Sequence, residues 1–349
     1  MKKNINLLLL FTLIASSPLF AQFSINAELR TRAELNHGLM TLPVESSETA
    51  LFVTQRSRLN LKYKNDKFTS LISLQDVRFW GENDIATKSG IQASSLGFGV
   101  SEAWFNWNFS GNWGLKTGRQ VWNYDDGRLL SIRNWNQYGL AYDAFLLHLD
   151  KDDFQFHLGS SINNTWLLFN KDSFSPAENP YETPIGYRIK YFNFLWLKFH
   201  ASNTFSISLS EYMANYLAPN TTSTLYTLAT TAIHFNYHTE KTKILANVFY
   251  QYGSKSSSDK KSSYMLTISG KHKINAVEIG AGLDYMSGDG KNSAAFDNMY
   301  GARSKYNGKM NYYVLPKDTK DGGLIDLNAN IKWSINKQHS VYASFHKFW

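Results

Sequence analysis

FSINAELRTRAEL, running from Phe23 to Leu35, alternates residue by residue. Phe23, Ile25, Ala27, Leu29, Ala33 and Leu35 fall on one side, and Ser24, Asn26, Glu28, Arg30, Arg32 and Glu34 on the other. Successive side chains of an extended chain point to opposite faces, so this is a strand with one apolar and one densely charged face. The period returns in ALFVTQRSRLNLKYK (50–64), where Thr54, Arg56, Arg58, Asn60 and Lys62 oppose Val53, Leu59, Leu61 and Tyr63. VEIGAGLDY (277–285) and LIDLNANIKW (324–333) repeat it, setting Glu278, Asp284, Asp326 and Asn328 against aliphatic neighbours.

Alternation alone fits a soluble sandwich as well as a membrane barrel. Length and turn pattern separate them. The chain reads as fifteen strands, roughly 23–35, 50–64, 67–80, 99–109, 113–124, 137–150, 153–166, 185–200, 203–215, 223–238, 241–252, 262–272, 275–286, 321–335 and 338–349. Many are about twice the length of an ordinary globular strand, which is what a tilted membrane-crossing strand requires. Tight polar links alternate with long ones, the pattern of short periplasmic turns and long extracellular loops. Aromatic residues make up 15% of the chain and many sit near expected strand ends, where the girdles of a barrel lie. The expected fold is all-β: a transmembrane antiparallel β-barrel of about 16 strands, fifteen of them readable. Single-chain bacterial barrels have even strand numbers, so a closing strand is expected to be missing. The first and last strands should then meet in a parallel seam or flank a one-strand gap, with Trp349 at the outer rim.

The start, MKKNINLLLLFTLIASSPLFAQ, has two lysines, a short apolar run and a small residue at Ala21, as a secretory signal does. Residues 1–21 are expected to be cleaved, leaving 22–349 as one barrel domain. The chain has no cysteine, which excludes disulfides, thiolate metal sites and a lipid-carrying cysteine. Its net charge is +8, or +6 without Lys2 and Lys3, which points to an anionic partner. An exported chain with its basic residues spread over many segments fits lipopolysaccharide or an acidic solute better than nucleic acid.

A charged side chain facing lipid costs roughly 2–4 kcal/mol at the midplane, so the charged faces belong to the lumen. Expected pore-lining residues are Glu28, Arg30, Arg32, Glu34, Arg56, Arg58, Asn60, Asp76, Arg78, Glu102, Asn106, Arg119, Glu278, Asp284, Asp326 and Asn328. Arg30, Arg32, Arg56 and Arg58 lie on hairpin neighbours and would form a positive ladder, matched to carboxylates by guanidinium geometry. The stretch GRQVWNYDDGRLL (118–130) and its continuation place Asp125, Asp126, Arg128 and Arg133 in the loop after a strand, at the outer mouth or folded into the lumen. Adjacent carboxylates could serve glycoside hydrolysis, but neighbouring arginines would hold both ionised, whereas a general acid needs a raised pKa. Ion pairs with Arg128 or Arg133, or contact with solute, are the simpler accounts. Histidines such as His148, His157, His200, His234 and His272 fall within strands with no serine or acid pattern to single one out. No cofactor, metal site or enzymatic activity is expected, although SGDGKN (287–292) has the look of a weak cation loop.

ELRTRAEL (28–35), TQRSRLNL (54–61), SLQDVRFWG (73–81), SEAWFNW (101–107), LKTGRQVWNYDDGRLLSIRNW (115–135), YDAF (142–145), GLDYMSGDGKN (282–292) and FDNMYGARSKYNGKMNYY (296–313) together resemble the bacterial alginate-export outer-membrane proteins in their Bacteroidetes-type form. The resemblance implies a barrel of 16–18 strands in the outer membrane, among lipid and lipopolysaccharide. Its lumen of arginines and acids would pass an anionic, alginate-like polysaccharide or oligosaccharide, with a monomer favoured. A non-conducting structural barrel and a barrel enzyme such as an outer-membrane hydrolase are the alternatives.

Overall fold

The computed structural model describes residues 23–37, 43–45, 48–81, 98–163, 188–218, 223–258, 260–291, 294–299, 301–302, 305–308, 312–313 and 319–349. The expected signal segment, 1–21, and parts of the long connections lie outside them. The strands are β1 (Phe23–Asn36), β2 (Ala50–Lys64), β3 (Phe68–Phe79), β4 (Phe98–Ser110), β5 (Trp113–Gln120), β6 (Tyr142–Asp150), β7 (Phe154–Ile162), β8 (Arg188–His200), β9 (Phe205–Leu217), β10 (Leu225–His238), β11 (Thr242–Ser254), β12 (Lys260–Ile274), β13 (Val277–Met286), β14 (Leu324–Ser334) and β15 (Ser340–Phe348). All fifteen form one sheet in sequence order, each antiparallel to the next.

Short polar side chains make the tight turns at one rim. Asn65 Oδ1 accepts from the amides of Lys67 and Phe68, Asn336 Oδ1 from those of Gln338 and His339, and Thr239 Oγ1 from that of Thr242. Each side chain thereby does locally what a ladder carbonyl would otherwise do. Register follows from the pleat. Glu28 lies opposite Arg58 and Arg30 opposite Arg56, and a one-residue slip would turn every charge outward.

The outer face is a belt of exposed apolar side chains through successive strands, for example Leu29 at 71%, Phe145 at 54% and Ile268 at 53%. Such a belt is stable against lipid and not against water. β1 and β15 are the two ends of the strand order, and no hydrogen-bonded parallel seam joins them among the described residues. Trp349 exchanges two backbone hydrogen bonds of 3.0 Å with Ile325, at the rim carrying the long connections, as expected.

Three expected lumen residues face outward. Asp76 and Arg78 share the parity of exposed Ile72, while Ser73, Gln75 and Val77 turn inward; Arg78 Nε bonds Asp76 Oδ2 at 2.6 Å. Arg119 pairs with Asp143 on the face of Phe105 and Phe145, at 2.8 Å and 2.9 Å. All lie near the outer ends of their strands, where a charge costs only about 0–1 kcal/mol. β5 also stops at Gln120, short of the expected 124, because the chain leaves the sheet and turns inward.

That inward turn fills one side of the interior. Trp122, 2% exposed, stacks on Tyr142 at 4.5 Å and meets Phe194 edge-on at 4.9 Å. Tyr124 packs against Phe194 and Trp196. Phe192, Tyr212, Phe249, Met265, Phe296 and Met299 extend the cluster across β8 to β12. Gly159 makes room for it, since a Cβ there would lie 2.1 Å from the Phe194 ring. Phe194→Ala is expected to lower unfolding free energy by about 3–5 kcal/mol, measured by urea titration of the detergent-folded barrel. A change near zero would mean that this side of the interior is water-filled.

Candidate functional site

The segment 121–141 crosses the interior and touches both sides of the wall. The carbonyls of this irregular stretch have no ladder partners, and here the first two strands supply donors to them. Five consecutive carbonyl oxygens, those of residues 134–138, accept from arginines. Arg30 donates to Asn134 O at 2.7 Å and Asn136 O at 3.1 Å, and Arg32 to Trp135 O at 2.8 Å. Arg56, 1% exposed, reaches the carbonyls of Asn134, Asn136 and Gln137 at 3.3–3.4 Å, and Arg58 that of Tyr138 at 3.3 Å. Glu28 holds Arg56 through its Nε at 3.1 Å, Glu34 holds Arg32 at 2.9 Å, and Gln75 holds Arg58 at 2.6 Å. The expected ladder therefore exists, but it faces a protein segment and not an open channel.

Asp125 and Asp126 diverge. Asp125, at φ 53°, accepts from Ser208 Oγ at 2.6 Å and from Trp196 Nε1 at 3.1 Å. Asp126 binds Arg128 Nε at 3.2 Å and accepts from Asn247 at 3.0 Å. Arg128 also grips Asp284 with both terminal nitrogens, at 2.8 Å and 2.9 Å. Burial opposes the Arg128 charge, yet Asp284 and Asp126 outweigh it and hold the guanidinium above its ordinary range. The two carboxylates thus serve different partners and flank no common gap, which leaves the hydrolytic arrangement unsupported. Arg133 pairs with neither acid; it donates to the carbonyls of Gly301 and Met299 at 3.0 Å and 2.7 Å. Through these contacts the stretch after β13 packs on the first segment, and Lys305 Nζ and Tyr306 OH both donate to Asp126 O at 2.7 Å and 2.6 Å.

The remaining wall residues sort by partner. Asn60 faces inward between Asn26 and Ser73, and Glu102 accepts from Trp104 Nε1 at 3.0 Å. Asn106 bonds Asn108, Glu278 pairs with Lys271 at 3.2 Å, and Asp326, fully buried, bonds His346.

A cavity of about 620 Å³ lies between the inner segments and the wall of β11 to β15. Lys243, Lys271, Lys305 and Lys332 line it with Arg128, Asn328, Asn330, Tyr306, Tyr342 and Ser344. Burial pushes the Lys305 ammonium below its ordinary range. Alternation set Lys332 on the polar face of its strand, but sequence reasoning passed over Lys243, Lys271 and Lys305, because they come from separate segments and no short motif joins them. The available signal was parity: Lys243 lies opposite Lys271, and Lys332 opposite Glu278.

Residues 21–161 match the family described as Alginate export. No curated protein matches the chain. Among solved structures, Pseudomonas aeruginosa OpdL aligns with a TM-score of 0.57 at 10% identity, covering 90% of this chain and 77% of its own. Acinetobacter baumannii OccAB4 aligns at 0.56 with 9% identity, over 93% and 81%. OmpT, an outer membrane protein of Vibrio cholerae, aligns at 0.49 with 10% identity, over 93% and 87%. At these identities the likeness to OpdL and OccAB4 is one of fold, an antiparallel β-barrel of the outer-membrane type.

Replacing Arg30, Arg56 and Arg58 with serine is expected to release the 134–138 stretch, seen as new proteolysis within 133–139 and a larger, noisier single-channel conductance. A resistant segment with unchanged current would show that other contacts hold it. A second test concerns Asp125, whose carboxyl is held above its ordinary range by burial, in spite of its donors. The native state then keeps this proton longer than the unfolded chain does, so ionisation costs stability as pH rises through and above about 4. Asp125→Asn is expected to raise the urea midpoint at pH 7, with the gain vanishing in acid. An equal or lower midpoint at pH 7 would refute the burial argument.

Proposed function

We propose that the protein is a passive outer-membrane pore for an anionic oligosaccharide or polysaccharide, alginate-like in charge, exported by its cleaved N-terminal signal. The lysine-lined cavity carries this reading. Lys243 and Lys332 stand as separate point charges beside Lys271, which pairs with Glu278, and Lys305, which donates to Asp126 O, so a polyanion meets several weak sites in series and can both enter and leave. Tyr342 offers a flat face to a sugar ring, and Asn328, Asn330 and Ser344 offer hydrogen bonds to hydroxyls. The one carboxylate among the lining residues, Asp284, is already neutralised by Arg128. The family match over the N-terminal part and the barrel fold support the transport class.

On this reading the path runs along β11 to β15, while the arginines of β1 and β2 position the segment that narrows it. The filled interior favours a second reading, a non-conducting barrel, and the two separate in a planar bilayer. The protein is expected to carry an anion-preferring current that short oligouronates reduce. Lys243→Gln, Lys271→Gln and Lys332→Gln combined should shift the reversal potential toward cations under a salt gradient. A folded, heat-modifiable barrel without conductance would establish the second reading, and an unchanged reversal potential would move the path away from these lysines.

A further inference from the structure

The hairpin of β6 and β7 carries three chemistry-bearing side chains outside the proposed solute path. His148 and His157 lie directly opposite one another in the register, and Asp150 follows His148 by two residues on the same inward face. His148 Nδ1 is 2.7 Å from Asp150 Oδ2, and His157 Nε2 is 3.1 Å from Asp150 Oδ1. The ligand atoms of all three lie within 4.8 Å of one another. We infer that this trio binds a divalent transition metal of the zinc class through His148 Nδ1, His157 Nε2 and Asp150, with a further position open to water at the short-turn rim.

The hydrogen-bond pattern around His148 supports a cation. Its Nε2 lies 2.8 Å from Asn106 Oδ1, while Asn106 Nδ2 donates to Asn108 Oδ1 at 2.8 Å. The amide thus turns its oxygen to the ring, and Nε2 must carry the hydrogen. That leaves Nδ1, the ring's other nitrogen, turned to a carboxylate oxygen of Asp150, and these are the two atoms a metal ion would take.

The surroundings are those of a built site. Tyr124 OH is 2.8 Å from His157 Nδ1, leaving Nε2 to the metal, and Gln155 Nε2 donates to Asp150 at 2.9 Å. Such outer partners fix the orientation of ligating rings and carboxylates. Gly114 clears the space, since a Cβ there would lie 2.4 Å from His148 Nε2. The histidine side chains are 16% and 17% exposed, whereas that of Asp150 is 42% exposed, which provides an entry path. Ligand atoms on a tetrahedral zinc ion stand roughly 3.3 Å apart for bonds of about 2.0–2.1 Å, so modest side-chain shifts suffice. Two imidazoles with one carboxylate suit zinc, nickel, cobalt or copper, and not calcium or magnesium.

The test uses the full, tag-free barrel folded in detergent and stripped with chelator. Titration with Co2+, followed by its visible absorption and by Zn2+ competition, is expected to show one saturable site per chain. Asp150→Asn, which keeps the side-chain shape, should abolish that site, as should the His148→Ala and His157→Ala pair. Asn106→Ala should weaken binding by roughly 10-fold without removing a ligand. Heat-modifiability on a gel confirms that each variant is folded. Saturable binding that survives Asp150→Asn in a folded barrel, or no saturable binding by the wild type, would overturn the assignment.

Discussion

Five backbone carbonyls in a row, at residues 134–138, take their hydrogen bonds from four arginines of the first two strands. A polypeptide crossing the inside of a barrel cannot satisfy its backbone through the sheet ladder, and irregular backbone persists at membrane depth only where it is buried in protein or lines water. Guanidinium groups suit the task. Each presents several donors in a fixed plane, stays charged, and bonds a carbonyl more strongly than a neutral donor does. Glu28, Glu34 and Gln75 hold the guanidiniums in turn, so the like-charged ladder is an ordered array with its own counter-groups. Without it, neither the course of 121–141 nor the cavity it borders would be defined.

The interior is consequently uneven. The side of β1 to β3 is cationic and occupied, the region of β6 to β12 is packed with aromatic rings, and the side of β11 to β15 holds lysines around free volume. Arginine and lysine divide between these places: the planar fork of Arg30, Arg32, Arg56 and Arg58 is tied to fixed carbonyls, and the compact ammonium groups line the free volume.

Much of this was legible in the sequence. Period-two alternation located all fifteen strands, and the inward parity of Glu28, Arg30, Arg32, Glu34, Arg56 and Arg58 was readable because hydrophobic residues hold most opposing positions, with Thr31, Gln55 and Ser57 the uncharged exceptions. Parity failed at Asp76, Arg78 and Arg119, where strands rise toward the outer rim and polar residues occur on both faces. Trp122 continues the inward parity of β5, so the sequence reads as strand to Tyr124. Only the three-dimensional cluster around Phe194 shows why the chain departs at Gln120. The partners of the arginines were hidden for a related reason: an acceptor that is a main-chain carbonyl leaves no mark on residue type.

The wall and its contents also differ in the sequence distance they span. Every strand pairs with its chain neighbour, so the sheet can be assembled hairpin by hairpin from local contacts. The internal ties reach much further: 104 residues from Arg30 to Asn134, 156 from Arg128 to Asp284 and 179 from Lys305 to Asp126. They can close only after distant parts of the wall have come to face each other. A wall assembled before these ties close would stand open, wider inside than the finished barrel. The charged donors of the first hairpin are already in place on the wall to receive the segment once the two sides meet.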